Sequence, residues 1–332
     1  DALGLAEKEW QQLKHAFKAE SPKPEVKSSI GNIVVAGMGG SALAATIVTS
    51  WPQTSVPFEV VRDYDLPPAV GKQTLFIASS YSGNTEETLA ALDAAEVRGC
   101  KIMVIASGGA LAARAGEKNY PLYKIPDGLQ PRMAVFYNLA ALVQLLEMVG
   151  LTEVGKVEEL NKAADWLGTQ VTQWRPDSAT KNNRAKQIAQ ELMGKSVVVY
   201  GGPKMYPAAY KWKINFNENA KHIAWCNQFS EFNHNEMLGW TKQPVDKPYA
   251  VIELHSNLEN PRIQKRFEVT KRLLSGLRPE PIVIDAEGKT LLQQLLWTIM
   301  LGDFTSLYLA LLSNLDPTPV ELIEKFKKAL TE

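Results

Sequence analysis

Residues 75–89 read LFIASSYSGNTEETL, and this stretch decides the fold. The apolar run Leu75-Phe76-Ile77-Ala78 has the character of a strand buried on both faces, as in a parallel sheet. Ser79, Ser80, Ser82 and Thr85 follow, set around Gly83. From Glu86 the pattern turns helical. Leu89 and Leu92 share a face, and Glu86 and Glu87 occupy the first turn, where acidic side chains suit the helix dipole. A strand that passes through hydroxyls and a glycine into a helix start gathers free N–H groups, the positive dipole end and Ser/Thr donors around one point, which is the construction of a phosphate cradle. No Lys or Arg lies inside the loop, so hydrogen bonds rather than a point charge would hold the anion. The same residues also fit a Ser-rich turn with an N-cap, and the loop alone does not separate these readings.

Outward from this stretch, strands and helices alternate. Asn32–Ala36 (NIVVA) is a buried strand, and Gly37-Met38-Gly39-Gly40-Ser41 turns the chain into a helix over 42–50. Strands are expected over 58–62, Lys101–Ala106 and 122–125, with helices over 85–98, 111–115 and 132–149. A helix over 3–20 precedes them, ended by SPKP at 21–24. The second half repeats the order. KSVVVY (195–200) leads through Gly201-Gly202 into a helix near 205–217, and the strand 249–254 leads through His255-Ser256-Asn257 into a helix over 262–274. A strand at 281–284 and a helix over 291–313 complete the second copy. The predicted fold class is α/β, with two doubly wound parallel-sheet sandwiches in tandem, divided as 1–150 and 151–332 with a helical connector over 151–177. The second copy carries HSNLENP where the first carries SSYSGNTE, so one phosphate site is expected.

The 332 residues suit two domains of ordinary size. Lys plus Arg and Asp plus Glu number 36 each, so no overall field draws nucleic acid or an anionic membrane. The apolar runs read as too short to cross a bilayer, and the amphipathic N-terminus is unlike a signal peptide. Cys100 and Cys226 form no CxxC motif, as expected of free thiols in a soluble cytoplasmic protein. The four histidines show no HxH or HExxH spacing, so no metal is expected.

Gly37, Gly39 and Ala42 satisfy G-x-G-x-x-A, a dinucleotide fingerprint. The acid it requires about 20 residues on is not cleanly present, because the next strand ends in Arg62-Asp63. A dinucleotide site also gives no reason for a second phosphate-type loop at 80–85. Two loops at the carboxyl ends of neighbouring strands can instead converge on one monophosphate.

GMGGSA followed by SSYSGNTEET resembles the sugar isomerase (SIS) domain. Two such domains in tandem, with NFNENAKHIAW and EFNHNEMLGW, resemble the bifunctional phosphoglucose/phosphomannose isomerases of archaea and bacteria, over about residues 30–330. The resemblance implies that Gly39, Gly40, Ser41, Ser80, Ser82 and Thr85 hold a hexose 6-phosphate. It implies Glu218 as the base, His234 as the group that opens and closes the sugar ring, and Arg132 over the developing enediolate. A C-terminal lysine would line the site; Lys327 best fits the family spacing, with Lys325 and Lys328 as competitors. Thr318 would lie near the sugar C1–C2 region and bear on acceptance of mannose 6-phosphate. The family's histidine reaches a neighbouring subunit's site, which implies a homodimer.

The residues allow this chemistry. Aldose–ketose isomerisation needs a base beside C1–C2, neutralisation of an enediolate oxygen and an acid for the ring C–O bond. Glu218 also reads as a helix-end carboxylate bonded to Asn217 or Lys221. His234 also reads as a buried hydrogen-bonded histidine, with His222 as its rival. Arg132, placed against the dipole of an expected helix start, reads as held for an anion, or as a surface arginine paired with Glu147 or Asp127. Other readings are a non-enzymatic sugar-phosphate sensor and a SIS-type aminosugar-phosphate deaminase or amidotransferase half.

Overall fold

The computed structural model describes residues 1–17, 30–242 and 248–330. The chain forms two compact units, Lys8–Thr169 and Asp1–Glu7 with Gln170–Glu332. The helix expected over 3–20 is instead α1 (Ala2–Ala6) and a separate 3₁₀ stretch, Glu9–Lys14. Its end and the SPKP segment at 21–24 lie outside the described residues. Tertiary contact selects the tighter spiral: Gln12 donates from Nε2 to the Met133 carbonyl (2.7 Å) and accepts from the Tyr137 N–H (3.2 Å).

In the first unit, β1 (Asn32–Ala36), α2 (Gly39–Val48), β2 (Phe58–Val61), β3 (Thr74–Ser80), α3 (Glu86–Val97), β4 (Lys101–Ala106), α4 (Gly109–Lys118) and β5 (Leu122–Lys124) alternate, followed by α5 (Val135–Met148) and α6 (Lys156–Gln170). All strand pairs are parallel, in the order β2-β1-β3-β4-β5. Each strand's alternate residues serve opposite faces. Val34, Phe76 and Val104 meet Leu92 of α3 and Leu111 of α4 on one face, while α2 and α5 pack together. The sheet is therefore covered on both sides, as its near-continuous apolar strands require. The boundary differs from the division at 150/151. α6 stays with the first unit, because Trp51 Nε1 donates to Glu159 (3.0 Å) and the Val157 N–H donates to Glu147 (2.7 Å).

The second unit contains α7 (Arg184–Leu192), β6 (Ser196–Gly201), α8 (Tyr206–Glu218), β7 (Ala224–Gln228), α9 (Glu236–Gly239), β8 (Tyr249–His255), α10 (Pro261–Leu273), β9 (Ile282–Asp285), α11 (Leu291–Leu312) and α12 (Glu321–Ala329). Its strands are parallel in the order β7-β6-β8-β9. Phe267 of α10 joins Val198, Tyr200 and Val251 in one apolar cluster, and α7 and α8 pack against α11. α11 corrects the reading that no apolar run could cross a membrane: at 22 residues it is long and apolar enough. Eighteen of its residues are buried, however, and it is the core helix of its own unit. In α12 no residue is buried, and Leu322 and Phe326 are exposed.

The repeat of element order is accompanied by a difference at the turns. Glu259, from the turn after β8, is 5% exposed and accepts from the Lys204 N–H (2.7 Å) just before α8. A Cβ at Gly202 would collide with its carboxylate. Burial pushes the Glu259 carboxyl above its ordinary range, more than the backbone N–H groups of Lys204 and Met205 pull it down. With the folded value above the unfolded one, the contribution of this group to stability is complete below the ordinary value of 4.5 and is lost as pH rises. Glu259→Gln, which keeps the shape and removes the charge, should therefore flatten the decline in unfolding free energy from about pH 5 to pH 7. Urea denaturation across that range tests this, and an unaltered slope contradicts it.

Candidate functional site

The order β2-β1-β3-β4-β5 reverses direction between β1 and β3, and ligands of open parallel sheets bind outside the carboxyl ends of strands at such a point. The turn 37–41 leaves β1 and the turn 81–85 leaves β3. They are fastened directly, since the Tyr81 N–H donates to Ser41 Oγ (3.1 Å). Ser80 Oγ and Thr85 Oγ1 share a hydrogen bond of 2.7 Å, and the Gly83 N–H donates to Ser80 Oγ (3.2 Å). Neither Met38 before α2 nor Thr85 before α3 makes a side-chain cap. The first-turn N–H groups of both helices therefore receive no capping oxygen from those side chains, and the two dipole ends meet at adjacent turns. The counterparts in the second unit differ. The turn before α8 takes Glu259, and Asn260 caps α10 through the Arg262 N–H (2.8 Å).

Four of the six loop residues are built into this cradle and two lie at its rim. Gly40, Ser41 and Ser80 are buried and Thr85 is half-buried, whereas Gly39 and Ser82 are exposed. Arg132 joins them. A Cβ at Gly40 would collide with the Pro131 carbonyl and stand 3.2 Å from the Arg132 nitrogen. The alternative of a surface arginine does not hold, because Arg132 is 1% exposed. It also does not open an α-helix. Pro131–Met133 is a 3₁₀ turn, and α5 begins at Val135. Tyr81, which the sequence reading passed over, anchors the same turns: its hydroxyl donates to the Pro126 carbonyl (3.0 Å) and accepts from the Leu129 N–H (2.8 Å).

In the second unit Glu218 is the last residue of α8 and is half-buried. Lys221 Nζ donates to the Asn219 carbonyl (3.3 Å) and to the carbonyls of Asp316 (2.9 Å) and Pro317 (3.3 Å), tying the end of α8 to the loop that carries Thr318. The Thr318 N–H donates to Asp316 Oδ1 (2.8 Å), and this bond is the main reason that carboxyl sits below the ordinary Asp range. Thr318 lines a cavity of about 320 Å³ with Leu3, Leu307 and Leu311. Nothing in the sequence marked Lys221 as this strut; its signature is conformational, a left-handed φ of 53°.

His234 stands elsewhere in this unit. The Ala224 N–H donates to Asn217 Oδ1 (3.0 Å), so the end of α8 lies beside the start of β7. His234 is an exposed residue of the 3₁₀ turn that follows the other end of that strand. β7 has five residues, which spans roughly 16 Å at ordinary strand rise. Lys327 lies on the exposed α12, paired with Glu324 (2.9 Å). Lys325 and Lys328 share that exposed helix. His222 is held by its own chain, with Nδ1 3.1 Å from the Ala220 carbonyl. Among the described residues, no three His, Cys, Asp or Glu side chains form a metal-ligand group.

The cradle depends on close backbone approach. Gly83, at φ 71°, would drive a Cβ into the Gly108 carbonyl. Gly83→Ala should therefore destabilise by about 2 kcal/mol or more. Gly116→Ala, inside α4 with open space around it, should stabilise by about 0.5–1 kcal/mol. Thermal denaturation of both variants checks the contrast, and equal effects contradict it.

Residues 181–330 match the model of the bacterial phospho-glucose isomerase C-terminal SIS domain. The C-terminal domain of glucosamine-fructose-6-phosphate aminotransferase from Francisella tularensis superposes with a TM-score of 0.74 over 96% of this chain and 98% of its own, at 14% identity, which shows the fold. The two parallel sandwiches are thus SIS domains in tandem. A bifunctional phosphoglucose/phosphomannose isomerase from Aquifex aeolicus is 33% identical over 90% of each chain. One of the same description from Caldicellulosiruptor bescii is 37% identical over 97% of this chain and 96% of its own. At that identity and coverage, the chain belongs to the bifunctional phosphoglucose/phosphomannose isomerase family, whose members are aldose–ketose isomerases.

Proposed function

We propose that this protein interconverts fructose 6-phosphate with glucose 6-phosphate and with mannose 6-phosphate through an enediol, without metal or cofactor. The observation that carries the reading is the pair of helix starts without side-chain caps, α2 and α3, held at adjacent turns by the Ser41–Tyr81 bond. Such an arrangement suits a phosphate monoester. Gly39, Gly40, Ser41, Ser80, Ser82 and Thr85 hold the 6-phosphate. Arg132, at the same turns, supplies the positive charge that steadies the enediolate. Glu218 moves the proton between C1 and C2, and a positioned carboxylate of this kind contributes on the order of 10²–10⁴-fold. Thr318, on the loop tied to the end of α8, bears on the C1–C2 end of the sugar and so on epimer acceptance. Lys327 lines the site.

His234 opens and closes the sugar ring. Its distance from Glu218 along β7 supports a role in the site of a second copy, so the active species is a homodimer. A balanced net charge and a 22-residue apolar helix enclosed in its own unit's core support a cytoplasmic enzyme.

Chelator-treated protein supplied with fructose 6-phosphate should yield both glucose 6-phosphate and mannose 6-phosphate, resolved by chromatography. Glucose 6-phosphate alone would remove the role given to Thr318. No turnover, with fructose 6-phosphate still raising the Tm, would leave a binding protein instead. Glu218→Gln should abolish exchange of the C2 hydrogen with solvent while the thermal shift caused by fructose 6-phosphate persists. Retained exchange would overturn the assignment of the base.

A further inference from the structure

α8 and α11 meet along a seam that is polar although both helices are buried. On α8 the residues are Lys211, Asn215 and Asn219, spaced four apart and therefore on one stripe. Lys211 Nζ donates to Asp303 Oδ1 (2.6 Å) and to Asn215 Oδ1 (2.9 Å), and Asn215 Nδ2 donates to the same carboxylate oxygen. One turn further along, Asn219 Nδ2 donates to Ser306 Oγ (2.9 Å). Beside this stripe, Trp212 Nε1 donates to the Thr298 carbonyl (2.7 Å), and the Trp212 ring lies against Gly302, where a Cβ would collide with it. Within the stripe the partners advance together along both helices, 211 and 215 with 303 and 219 with 306.

This seam is an unfavourable way to join two helices. The Lys211 and Asp303 side chains are 2% and 6% exposed. Asp303 is the one charged residue in α11, and its Oδ2 has no hydrogen-bond partner among the described residues. Buried ion pairs of this kind are often no more stabilising than apolar side chains of the same volume, and an unsatisfied buried acceptor costs stability outright. Directional bonds do provide register. Apolar packing tolerates small slides and rotations, whereas a displacement of one helical step breaks every bond of the seam. Glu218 lies one residue before Asn219, at the end of α8 where the seam stops.

We infer that Lys211, Asn215, Asn219, Asp303 and Ser306 are positioning residues, whose seam fixes the axial and rotational setting of the last turn of α8 and thereby aims the Glu218 carboxylate. The inference rests on Glu218 being the base of the proposed reaction. A base must sit within hydrogen-bond reach of the proton it moves, and small misplacement costs rate rather than binding. Phosphate contacts, made by the other unit's loops, are unaffected by it.

The test is the double variant Lys211→Met/Asp303→Leu, which replaces the pair by apolar side chains of similar volume. In the folded variant the KM for fructose 6-phosphate should stay within twofold, and the kcat should fall at least tenfold. A kcat unchanged in a folded double variant overturns the inference. Asn219→Ala, which loosens only the end of the seam and leaves the ion pair in place, should give the same split between kcat and KM. It decides the matter if the double variant does not fold, with unchanged kcat again the overturning result. Glu218→Gln measured alongside separates the two levels. If that variant keeps its activity, the assignment of the base falls and the seam's role falls with it. If Glu218→Gln is inactive while both seam variants turn over normally, only the positioning role is lost.

Discussion

One hydrogen bond joins turns that are 40 residues apart in the chain, from the Tyr81 N–H to Ser41 Oγ. Each turn leaves a strand buried in a parallel sheet and enters a helix whose first N–H groups receive no capping side chain. An isolated turn of that kind is weakly determined, because its polar groups have alternatives in water. Fastened to each other, and to the 3₁₀ turn at Pro131–Met133 by the close approach of Gly40, the two turns become a single rigid surface of donors. Parallel strand order supplies the remainder. β1 and β3 are neighbours across the reversal of the sheet, so both turns emerge on the same edge.

The second unit solves the same geometric problem differently. Its β6 and β8 are neighbours too, and glycines again bring the first turn close. There the chain provides its own carboxyl, Glu259, and its own cap, Asn260. Duplicated architecture has thus been divided, with donors left available on one copy and internally satisfied on the other. The second copy is free to present side chains from its helix ends and edge loops, where Glu218, Thr318 and His234 are found.

Much of this was legible in the residues. Strand positions were readable because apolar runs of four to six residues bounded by Gly, Ser or Asn have few other uses. The two strand-to-helix turns were readable because hydroxyls and glycines at such a junction are a local signal. What failed was non-local. β7, AWCNQ, carries too little apolar character to stand out, since it is an edge strand and half-exposed. The N-terminal 3₁₀ stretch follows from side-chain bonds of Gln12 across more than 100 residues. Arg132 read as a helix start, held for an anion or exposed at the surface, and its burial depends on the turn packed over it. Asp303, in the midst of LLQQLLWTIMLGDFTSLYLALL, was not singled out, and its partner on another helix could not be named from sequence.

The unit that holds Glu218 is not a continuous stretch of chain. Residues 1–7 belong to it, with α1 packed on α11 and Glu7 paired to Arg175 (3.4 Å). These residues precede Lys8–Thr169 in the chain, whereas α11 spans Leu291–Leu312, well beyond it. The intervening unit, Lys8–Thr169, can close its own core in the meantime, because every strand pair it needs is already made. Completion of the second unit therefore waits on a contact of very large sequence separation, of the kind that slows folding. One unit can close from a continuous stretch of chain, while the other closes only once α11 has been made.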